Sequence, residues 1–332
     1  MAYSSFPEIF EAFNKLKVLI IGDVMIDSYQ WGKVDRISPE APVPIVHVQQ
    51  REMRLGGASN VALNVQSLGA TPILCSVIGE DLDGDNFIKL LENNHLPTEG
   101  ILRKSSRVTT IKHRIISGSH HMLRVDSEID TPLSESDRSA LLGRILELIN
   151  KVDVIVFEDY DKGVIDSQLI ASVVKAAKSA GKPVAVDPKK RNFMHYHGVS
   201  LFKPNLKEMK EGLKIELNSE DIQELIEAVK ILKEKLSLEG ALLTLSERGV
   251  YIDSNKEQHH LPAHIRNISD VSGAGDTVIS VASLCLALGL PPRLIAGLSN
   301  LAGGLVCEYV GVVPVVKSEL LKEAEKELDL FK

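Results

Sequence analysis

Cysteine is scarce in this chain of 332 residues, which contains only Cys75, Cys285 and Cys307. Each cysteine lies in an apolar run, and no two of them have the close spacing of a metal-binding pair. This argues against a disulfide-stabilised secreted scaffold and against a cysteine-based zinc site. The three thiols are predicted to be reduced core residues of a cytoplasmic protein.

The chain also lacks an excess of positive charge and a long apolar segment. Its 38 Lys and Arg residues are outnumbered by 45 Asp and Glu residues, which gives a formal net charge of −7. Nucleic acid is therefore not expected as a partner. No uninterrupted apolar run is long enough to span a bilayer, and residues 1–17 are amphipathic rather than signal-like. No membrane partner is expected either.

The pattern Gly-x-x-x-x-Gly-Lys-Ser/Thr is absent as well, which disfavours a P-loop nucleotide site. What the chain does have is an ordinary globular composition, with 44% apolar and 25% charged residues. Such a composition can bury a sizeable core. The length fits one large α/β domain with an insertion, or two domains.

Strand and helix patterns alternate through much of the chain. The apolar stretch 17–22 indicates a buried parallel strand. Further strands are predicted at 152–157, 183–186, 201–202 and 241–245, and helices at 7–15, 141–148, 165–180 and 219–237. This alternation predicts an α/β fold with a doubly wound, mostly parallel sheet flanked by helices.

Two stretches interrupt the alternation, at approximately 28–54 and 105–126. The first contains Pro39, Pro42 and Pro44, and both contain short runs in which apolar and charged residues alternate. Prolines and alternation indicate extended strands rather than a crossover helix. We predict that the two stretches form a small inserted β-sheet, a lid, within a single domain that spans 1–332.

Polar side chains repeatedly follow the ends of the predicted strands. In open α/β sheets, ligands bind at the carboxyl ends of strands, so several polar residues at one edge predict a site. For Asp23 and Asp27, which can accept hydrogen bonds from sugar hydroxyls, the alternative is ordinary turn chemistry. The other residues of this kind are Asp159, Asp187, Asn205, Glu208 and Ser246.

The stretch 270–281 has the most specific pattern, because small and polar residues lead directly into an apolar run. Residues 273–275 lack bulk, so the backbone N–H groups at the start of a helix are accessible to an anion. Asp276 is predicted to be a proton acceptor, since a carboxylate beside an anion site is otherwise repelled. The alternative is that Asp270 or Ser272 caps the helix and that Asp276 is a first-turn acid.

A second small-residue stretch, Gly56-Gly57-Ala58-Ser59-Asn60, also enters a predicted helix. It offers another close approach to backbone N–H groups. The third glycine and the preceding strand of a dinucleotide-binding fingerprint are missing. Asn60 can contact a hydroxyl, or it can simply cap the helix.

These stretches resemble the signatures of the ribokinase-like (PfkB) carbohydrate kinases. Residues 56–60, with Gly69 and Gly79, resemble the first signature, and Asp270–Asp276 resembles the second. Lys203-Pro-Asn-Leu-Lys-Glu208 resembles the Asn-x-x-Glu element of the family, whereas Val281 stands where Ala or Gly is preferred. The similarity covers almost the whole chain and implies a ribokinase-like fold and an ATP-dependent phosphotransferase.

The resemblance also implies roles for the matched residues. Asp276 would accept the proton of the sugar hydroxyl, next to an anion hole formed by Gly273, Ala274 and Gly275. Mg²⁺ is implied at Asn205 and Glu208, held through water, and a monovalent cation is a further candidate cofactor. The implied sugar-binding residues are Asp23, Asp27, Gly56, Gly57 and Asn60. The implied nucleotide-binding residues are Asn205, Ser246, Gly249, Gly273, Gly275 and Asn300.

Other segments resemble the bacterial D-glycero-β-D-manno-heptose 7-phosphate kinases more closely. Residues 22–29, 36–45, 159–163 and 187–189 match, although Glu158 stands where a small residue is expected. The resemblance implies phosphorylation of the sugar phosphate at O1, in the synthesis of ADP-heptose for the lipopolysaccharide core. Some of these kinases are fused to a nucleotidyltransferase. The sequence has no His-x-Gly-His motif, so a kinase-only form is expected.

A 7-phosphate group needs a cationic receptor. The candidates are Lys112, Arg114 and Arg124 on the lid, or Lys189; for Lys112 and Arg114 the alternative is a solvated edge strand. The apolar character of the lid suggests a homodimer that pairs its lids, as in the relatives. Two other functions stay open: the same chemistry on another sugar, sugar phosphate or nucleoside, and a sugar-binding regulator without turnover. The intact Asp276 and the neighbouring glycines argue against the regulator.

Overall fold

The computed structural model describes residues 3–118, 120–218, 221–264, 266–327 and 330. Parts of three predictions lie outside the described residues, namely the 1–332 domain extent, the 105–126 lid range and the helix at 219–237. The domain extent itself stays a prediction. Within the described residues, no helix combines the length and the apolar character needed to cross a bilayer.

The strands and helices of the described residues are as follows. The strands are β1 (Lys17–Gly22), β2 (Val24–Ile37), β3 (Pro44–Gly57), β4 (Thr71–Gly79), β5 (Ile101–Lys104), β6 (Ile111–Ser117), β7 (His120–Ser127), β8 (Val154–Glu158), β9 (Val184–Asp187), β10 (Leu201–Phe202), β11 (Gly240–Thr244), β12 (Val250–Ser254) and β13 (Glu257–Leu261). The helices are α1 (Phe6–Phe13), α2 (Ala58–Ser67), α3 (Leu82–Asn93), α4 (Glu135–Leu148), α5 (Ser167–Ser179), α6 (Leu206–Leu213), α7 (Ile222–Leu236), α8 (Ala274–Ala287), α9 (Pro292–Val306) and α10 (Lys317–Ala324).

The larger sheet has the strand order β13-β12-β11-β10-β9-β8-β1-β4-β5. All neighbours from β11 to β5 are parallel, and β12 and β13 add an antiparallel edge that the sequence patterns do not predict. The predicted doubly wound, mostly parallel sheet is confirmed. The strand order reverses at β1, which lies between β4 and β8, and such a reversal opens a crevice at the carboxyl ends of the strands.

The apolar run of β1 is continuous because both faces of this sheet are covered. Val18 and Ile20 pack into the core on one face, and Leu19 and Ile21 pack into the core on the other. Each such side chain stabilises the fold by about 1.5–3 kcal/mol when it is fully buried. Helix α8 belongs to the first core and is buried on almost every side, which explains its lack of a polar face.

The predicted lid forms a separate four-stranded sheet in the order β3-β2-β6-β7. Strand β2 pairs antiparallel with β3 and parallel with β6, and β7 pairs antiparallel with β6. Its first strand begins earlier than the predicted range, at Val24, so that Asp23 alone separates β1 from β2. The lid is therefore attached directly to the carboxyl end of the central strand.

The two faces of the lid sheet differ in chemistry. The strand register places Asp27 beside Lys112, and Tyr29 beside Arg114, on one face. The predicted shared face of Lys112 and Arg114 is thereby confirmed. The opposite face carries apolar side chains that are largely exposed, Met53, Leu123 and Val125.

Asp159, the residue after β8, is buried beneath the predicted site. Its carboxylate accepts hydrogen bonds from Asn192 Nδ2 (2.9 Å), from the Tyr196 hydroxyl (2.8 Å) and from the backbone N–H of Asp161 (2.9 Å). Burial, with a further contribution from Asp23, raises the pKa of Asp159 to about 7. This network fixes the loop that leaves β8 towards the crevice.

The network predicts a specific loss of stability in the variant Tyr196→Phe. The substitution keeps the buried ring and removes one donor from a buried carboxyl group, which costs about 1–3 kcal/mol of unfolding free energy. Chemical denaturation of the purified protein measures the change.

Tyr309→Phe is the matched control, because the Tyr309 hydroxyl makes a 3.3 Å hydrogen bond to Glu319 at the surface. Its effect is expected to stay within about 0.5 kcal/mol. Equal effects of the two substitutions would contradict the importance of the buried network.

Candidate active site

Helix α8 begins at the stretch that the sequence predicts to be an anion site. Gly273 is the N-cap residue and has a φ of +79°, a left-handed conformation that glycine adopts readily. The first hydrogen bond within the helix runs from the Thr277 N–H to the Gly273 carbonyl (3.0 Å). The N–H groups of Gly275 and Asp276 come before it and therefore have no carbonyl partner within the helix. The alternative of a side-chain cap is wrong, since neither Asp270 nor Ser272 caps the helix.

Asp276 is buried in the first turn of α8, and both of its carboxylate oxygens accept a hydrogen bond. Asn60 Nδ2 lies 2.7 Å from Oδ2, and the Tyr160 hydroxyl lies 2.7 Å from Oδ1. Burial raises the pKa of Asp276 to about 6, although the two hydrogen bonds lower it. A carboxylate whose pKa lies near neutrality, and whose orientation is fixed, is suited to general-base catalysis.

A buried ion pair lies next to the start of α8. Lys203 Nζ contacts Asp187 Oδ2 at 2.8 Å, and both side chains are almost fully buried. A Cβ on Gly275 would lie 3.5 Å from Asp187 Oδ2 and 3.7 Å from Lys203 Nζ. Burial lowers the pKa of Lys203, but Asp187 and Glu208 outweigh it, so the pKa is raised and the ammonium stays charged. A cation therefore accompanies the helix N–H groups.

Glu158 brings a third acid to the same edge. It ends β8, pairs with Asp187 of β9 in the strand register, and is fully buried. One carboxylate oxygen from each of Glu158, Asp187 and Asp276 lies within 4.8 Å of the other two. Burial raises the pKa of Glu158 well above its ordinary value, and the two neighbouring carboxylates raise it further.

Asn205 and Glu208, the predicted Mg²⁺ residues, form a capping box at the start of α6. Asn205 Oδ1 accepts from the Glu208 N–H (2.8 Å), and Glu208 Oε2 accepts from the Asn205 N–H (2.8 Å). Glu208 Oε1 accepts from Lys189 Nζ, also at 2.8 Å. These oxygens already have protein partners, which fits contact with a metal through water better than direct ligation.

The predicted sugar-binding acids have different surroundings. Asp23 accepts hydrogen bonds from the backbone N–H groups of Tyr160 (2.8 Å), Lys162 (3.2 Å) and Val164 (3.0 Å), so it organises the loop after β8. Burial raises its pKa. Asp27 is also buried, and its Oδ1 pairs with Arg114 of the lid. A side chain at Gly56 would collide with the Asp27 carboxylate, which explains the glycine there.

Lys112 differs from the other predicted phosphate-binding cations. Arg114 pairs with Asp27, Arg124 pairs with Asp126 (3.0 Å) on an exposed strand, and Lys189 pairs with Glu208. No carboxylate of the described residues lies within ion-pair distance of Lys112 Nζ. Burial lowers the pKa of Lys112, and the nearby carboxylates of Glu128, Asp126 and Asp27 offset this lost solvation only in part.

Three of the predicted nucleotide-binding residues lie on α9 and between β11 and β12. Asn300 of α9 donates to the backbone carbonyl of Pro262 (2.8 Å), and Gly249 is packed closely against Leu261 and Ala263. Ser246 is exposed at the end of β11. Asn300 and Gly249 therefore lie against the segment that follows β13, next to the antiparallel edge of the sheet.

Three residues that the sequence patterns do not assign to the site lie at its centre, beside Asp187. They are Glu158, Tyr160 and Lys203. All of them belong to segments that the resemblances already match or adjoin, and each lies at or just after the end of a strand. Their roles depend on which side chains face one another across β8, β9 and α8, and periodicity along one strand does not give that.

Comparison with known proteins agrees with this geometry. The family description "pfkB family carbohydrate kinase" matches residues 15–318. The bifunctional protein HldE of Wolinella succinogenes is 38% identical over 303 residues, and that of Caulobacter sp. (strain K31) is 41% identical over 318 residues. These matches cover 91% and 95% of this chain but only 63% and 64% of the relatives, so the chain spans less than two thirds of their length.

Solved structures show the same fold at low sequence identity. Phosphofructokinase-2 from Escherichia coli superimposes with a TM-score of 0.77 at 16% identity, covering 96% of this chain and 100% of that one. Arabidopsis thaliana ribokinase, solved with ribose and ATP, gives a TM-score of 0.71 at 17% identity, covering 92% and 99%. The predicted ribokinase-like fold is confirmed. The chain belongs to the pfkB family of carbohydrate kinases and is an ATP-dependent sugar kinase, a phosphotransferase with an alcohol group as acceptor.

Proposed function

We propose that the protein phosphorylates D-glycero-β-D-manno-heptose 7-phosphate at O1 to give the 1,7-bisphosphate, a precursor of the ADP-heptose used for the lipopolysaccharide core. The observation that carries the proposal is the position of Lys112 beside Asp27 on the polar face of the lid, half-buried and with no ion-pair partner in the part of the chain that the structure describes. A sugar held by Asp27 would bring its phosphate near that ammonium. The similarity to HldE proteins and the matching segments 22–29 and 36–45 support the same substrate.

Asp276 activates the acceptor hydroxyl in this proposal. Its carboxylate is oriented by Asn60 and Tyr160, both of which are neutral donors that do not protonate it. Removal of the hydroxyl proton leaves an alkoxide-like oxygen that attacks the γ-phosphorus while the bond from that phosphorus to the ADP oxygen breaks, so ADP leaves and the proton stays on Asp276. Asp27 and Asn60 then hold the sugar so that the reacting oxygen faces the start of α8.

The moving phosphoryl group is stabilised where α8 begins. The backbone N–H groups of Gly275 and Asp276 and the helix dipole face it, whereas the Ala274 N–H donates to the Val271 carbonyl (3.3 Å), and Lys203 adds a full positive charge beside Gly275. Mg²⁺, when bound, neutralises charge on the β- and γ-phosphates; Asn205 and Glu208 would hold it through water. Ser246, Gly249 and Asn300 would bind the nucleotide.

Among the four predicted receptors of the 7-phosphate, we favour Lys112. Arg114 is already neutralised by Asp27, Arg124 is exposed and paired, and Lys189 is held at Glu208. A phosphate bound to Lys112 would restore the solvation that this ammonium has lost. Arg114 would instead orient Asp27, so its loss would weaken the binding of phosphorylated and unphosphorylated sugars alike.

ATP consumption across a panel of acceptors tests the substrate. The panel contains heptose 7-phosphate, the same heptose without phosphate, fructose 6-phosphate and ribose. The highest kcat/KM is expected for heptose 7-phosphate. A clear preference for another acceptor would overturn the proposed substrate, while no consumption with any of them would favour a regulator without turnover.

Removal of the base should separate binding from turnover. Asp276→Asn keeps the side-chain shape and is expected to lower kcat by about 10²–10⁴-fold, the range of general-base contributions. Calorimetric titration should find ATP and sugar affinities within a few-fold of wild type. A variant with near wild-type kcat would remove Asp276 from the mechanism.

The pH profile of the wild-type enzyme provides an independent check on the same base. Since Asp276 must be ionised to accept a proton and its pKa is about 6, activity should fall as the pH drops through this value. Below the pKa, kcat/KM should decrease about tenfold per pH unit. The low residual rate of Asp276→Asn should lack this acid limb.

Lys112→Met tests the phosphate receptor. A hydrogen bond to a charged group contributes about 1.5–3 kcal/mol, so KM for heptose 7-phosphate should rise roughly tenfold or more. KM for ATP, and the use of the unphosphorylated heptose, should be unchanged.

Arg124→Met removes one positive charge from the same sheet at an exposed, paired position and is expected to change KM by less than about twofold. Equal effects of the two variants would mean that the lid attracts the substrate only through its overall charge.

A homodimer through the lid is the further part of the proposal. Met53, Leu123 and Val125 form the exposed apolar face, and Leu123 is 55% exposed. Burying this face against a second copy would remove apolar area from water. Leu123→Asp should shift the sedimentation coefficient from dimer to monomer, whereas Leu82→Asp, at an exposed apolar residue of α3, should leave it unchanged. A monomeric wild-type protein would contradict the dimer.

A further inference from the structure

Three carboxylate oxygens at the centre of the cleft have no hydrogen-bond partner among the described residues. They are Oε1 and Oε2 of Glu158 and Oδ1 of Asp187, and all three are buried. Buried carboxylate oxygens are nearly always satisfied by donors, ordered water or an ion, because an isolated buried charge is very costly. Two neighbouring side chains that both have free oxygens indicate a common ligand.

The cleft also contains fewer cationic side chains than carboxyl groups. Lys203 neutralises Asp187, and Lys189 neutralises Glu208. These two pairs leave Glu158 and Asp276 as carboxyl groups without a cationic partner of their own. Asp276 receives two neutral donors, while Glu158 has none. One divalent cation would supply the missing positive charge.

The other acids of the cleft have fewer oxygens available for direct ligation of a metal. Both oxygens of Asp276 already accept a hydrogen bond, and Asp187 Oδ2 is held by Lys203. Asp187 Oδ1 remains, with Lys189 Nζ at 3.6 Å, beyond a direct hydrogen bond. The capping box between Asn205 and Glu208 engages the oxygens there, so the free ligands of this cleft belong to Glu158 and Asp187.

We propose that Glu158 and Asp187 bind a divalent cation of the Mg²⁺ class directly, with Asp276 beside it, before any nucleotide is present. Carboxylate oxygens are the ligands that such hard cations prefer, and Mg²⁺ completes its octahedral shell with water. Glu158 is the residue where the chain departs from the heptose kinases it resembles, so the site is a feature of this chain. The proposal goes beyond the proposed substrate, because it holds for any acceptor sugar.

Mn²⁺ binding to the metal-stripped, nucleotide-free full chain tests the proposal, with electron paramagnetic resonance and calorimetry as readouts. Wild type is expected to bind Mn²⁺ at this site. Glu158→Gln, which keeps the shape and removes one charge, should weaken that binding by at least about tenfold, the low end of the loss caused even by outer-sphere changes at metal sites. Glu211→Gln removes one negative charge from a half-exposed residue of α6 and is the matched control; it should bind Mn²⁺ like wild type.

Thermal unfolding supplies a second readout that a merely structural role would not reproduce. In metal-free buffer, Glu158→Gln should be at least as stable as wild type, since it removes a buried carboxyl group that has no hydrogen-bond partner among the described residues. Mn²⁺ should raise the Tm of wild type and of Glu211→Gln but not that of Glu158→Gln.

Three outcomes would overturn the proposal: a wild-type protein that binds no Mn²⁺ without nucleotide, equal Mn²⁺ binding by Glu158→Gln, or a destabilised Glu158→Gln whose Tm still rises with Mn²⁺. The first outcome is measured on the wild-type protein alone, so it does not depend on whether the variants fold. Because these measurements need neither ATP nor sugar, failure here leaves the proposed substrate untouched, and a different acceptor in the kinase panel leaves the metal site untouched.

Discussion

The structure depends on the partners that four buried carboxyl groups find at the carboxyl ends of β1, β8 and β9. Removing a carboxylate from water costs a large free energy of desolvation unless hydrogen bonds or opposite charges replace the lost solvation. Asp23 accepts hydrogen bonds from backbone N–H groups, and Asp159 accepts them from Asn192 and Tyr196. Asp187 forms an ion pair with Lys203. Glu158 lies in the middle of this set without a donor. The arrangement fixes the loops that form the cleft and leaves one unsatisfied point within it.

Much of the fold follows from local patterns. Buried parallel strands are continuous apolar runs, so β1 and β10 are predicted with their bounds, and the helices that cover them are predicted within a few residues, except α4, which starts six residues before its predicted range. The prolines and alternating charges of 28–54 correctly exclude a crossover helix. The antiparallel pair of β12 and β13 is missed: β13 is a half-exposed edge strand with a weak pattern, and β12 is a buried run of only five residues that ends in Asp253 and Ser254.

The sequence predicts single residues of the site but not which of their side chains contact one another. A glycine-rich helix start and an acid in its first turn identify Asp276 from sequence, since both features are contiguous. The partners of Asp276 come from α2 and from the loop after β8, more than 100 residues away along the chain. Similarly, sequence shows that Lys112 and Arg114 can share a face, but only the side-chain positions in the folded structure show that Asp27, which the register places beside Lys112, pairs with Arg114 instead.

The hydrogen bond between Asn60 and Asp276 has a mechanical consequence. Lid strand β3 ends at Gly57, α2 begins at Ala58, and Asn60 lies in the first turn of that helix. Only three peptide bonds therefore separate the last residue of the lid strand from the side chain that orients the base. Displacement of the lid is transmitted to Asn60 unless the backbone rotates at the left-handed Gly57, where φ is +60°. The lid is thus not an exchangeable module: a lid transplanted from a relative would have to keep the 57–60 junction, or the chemistry would lose its alignment even if every sugar contact were preserved.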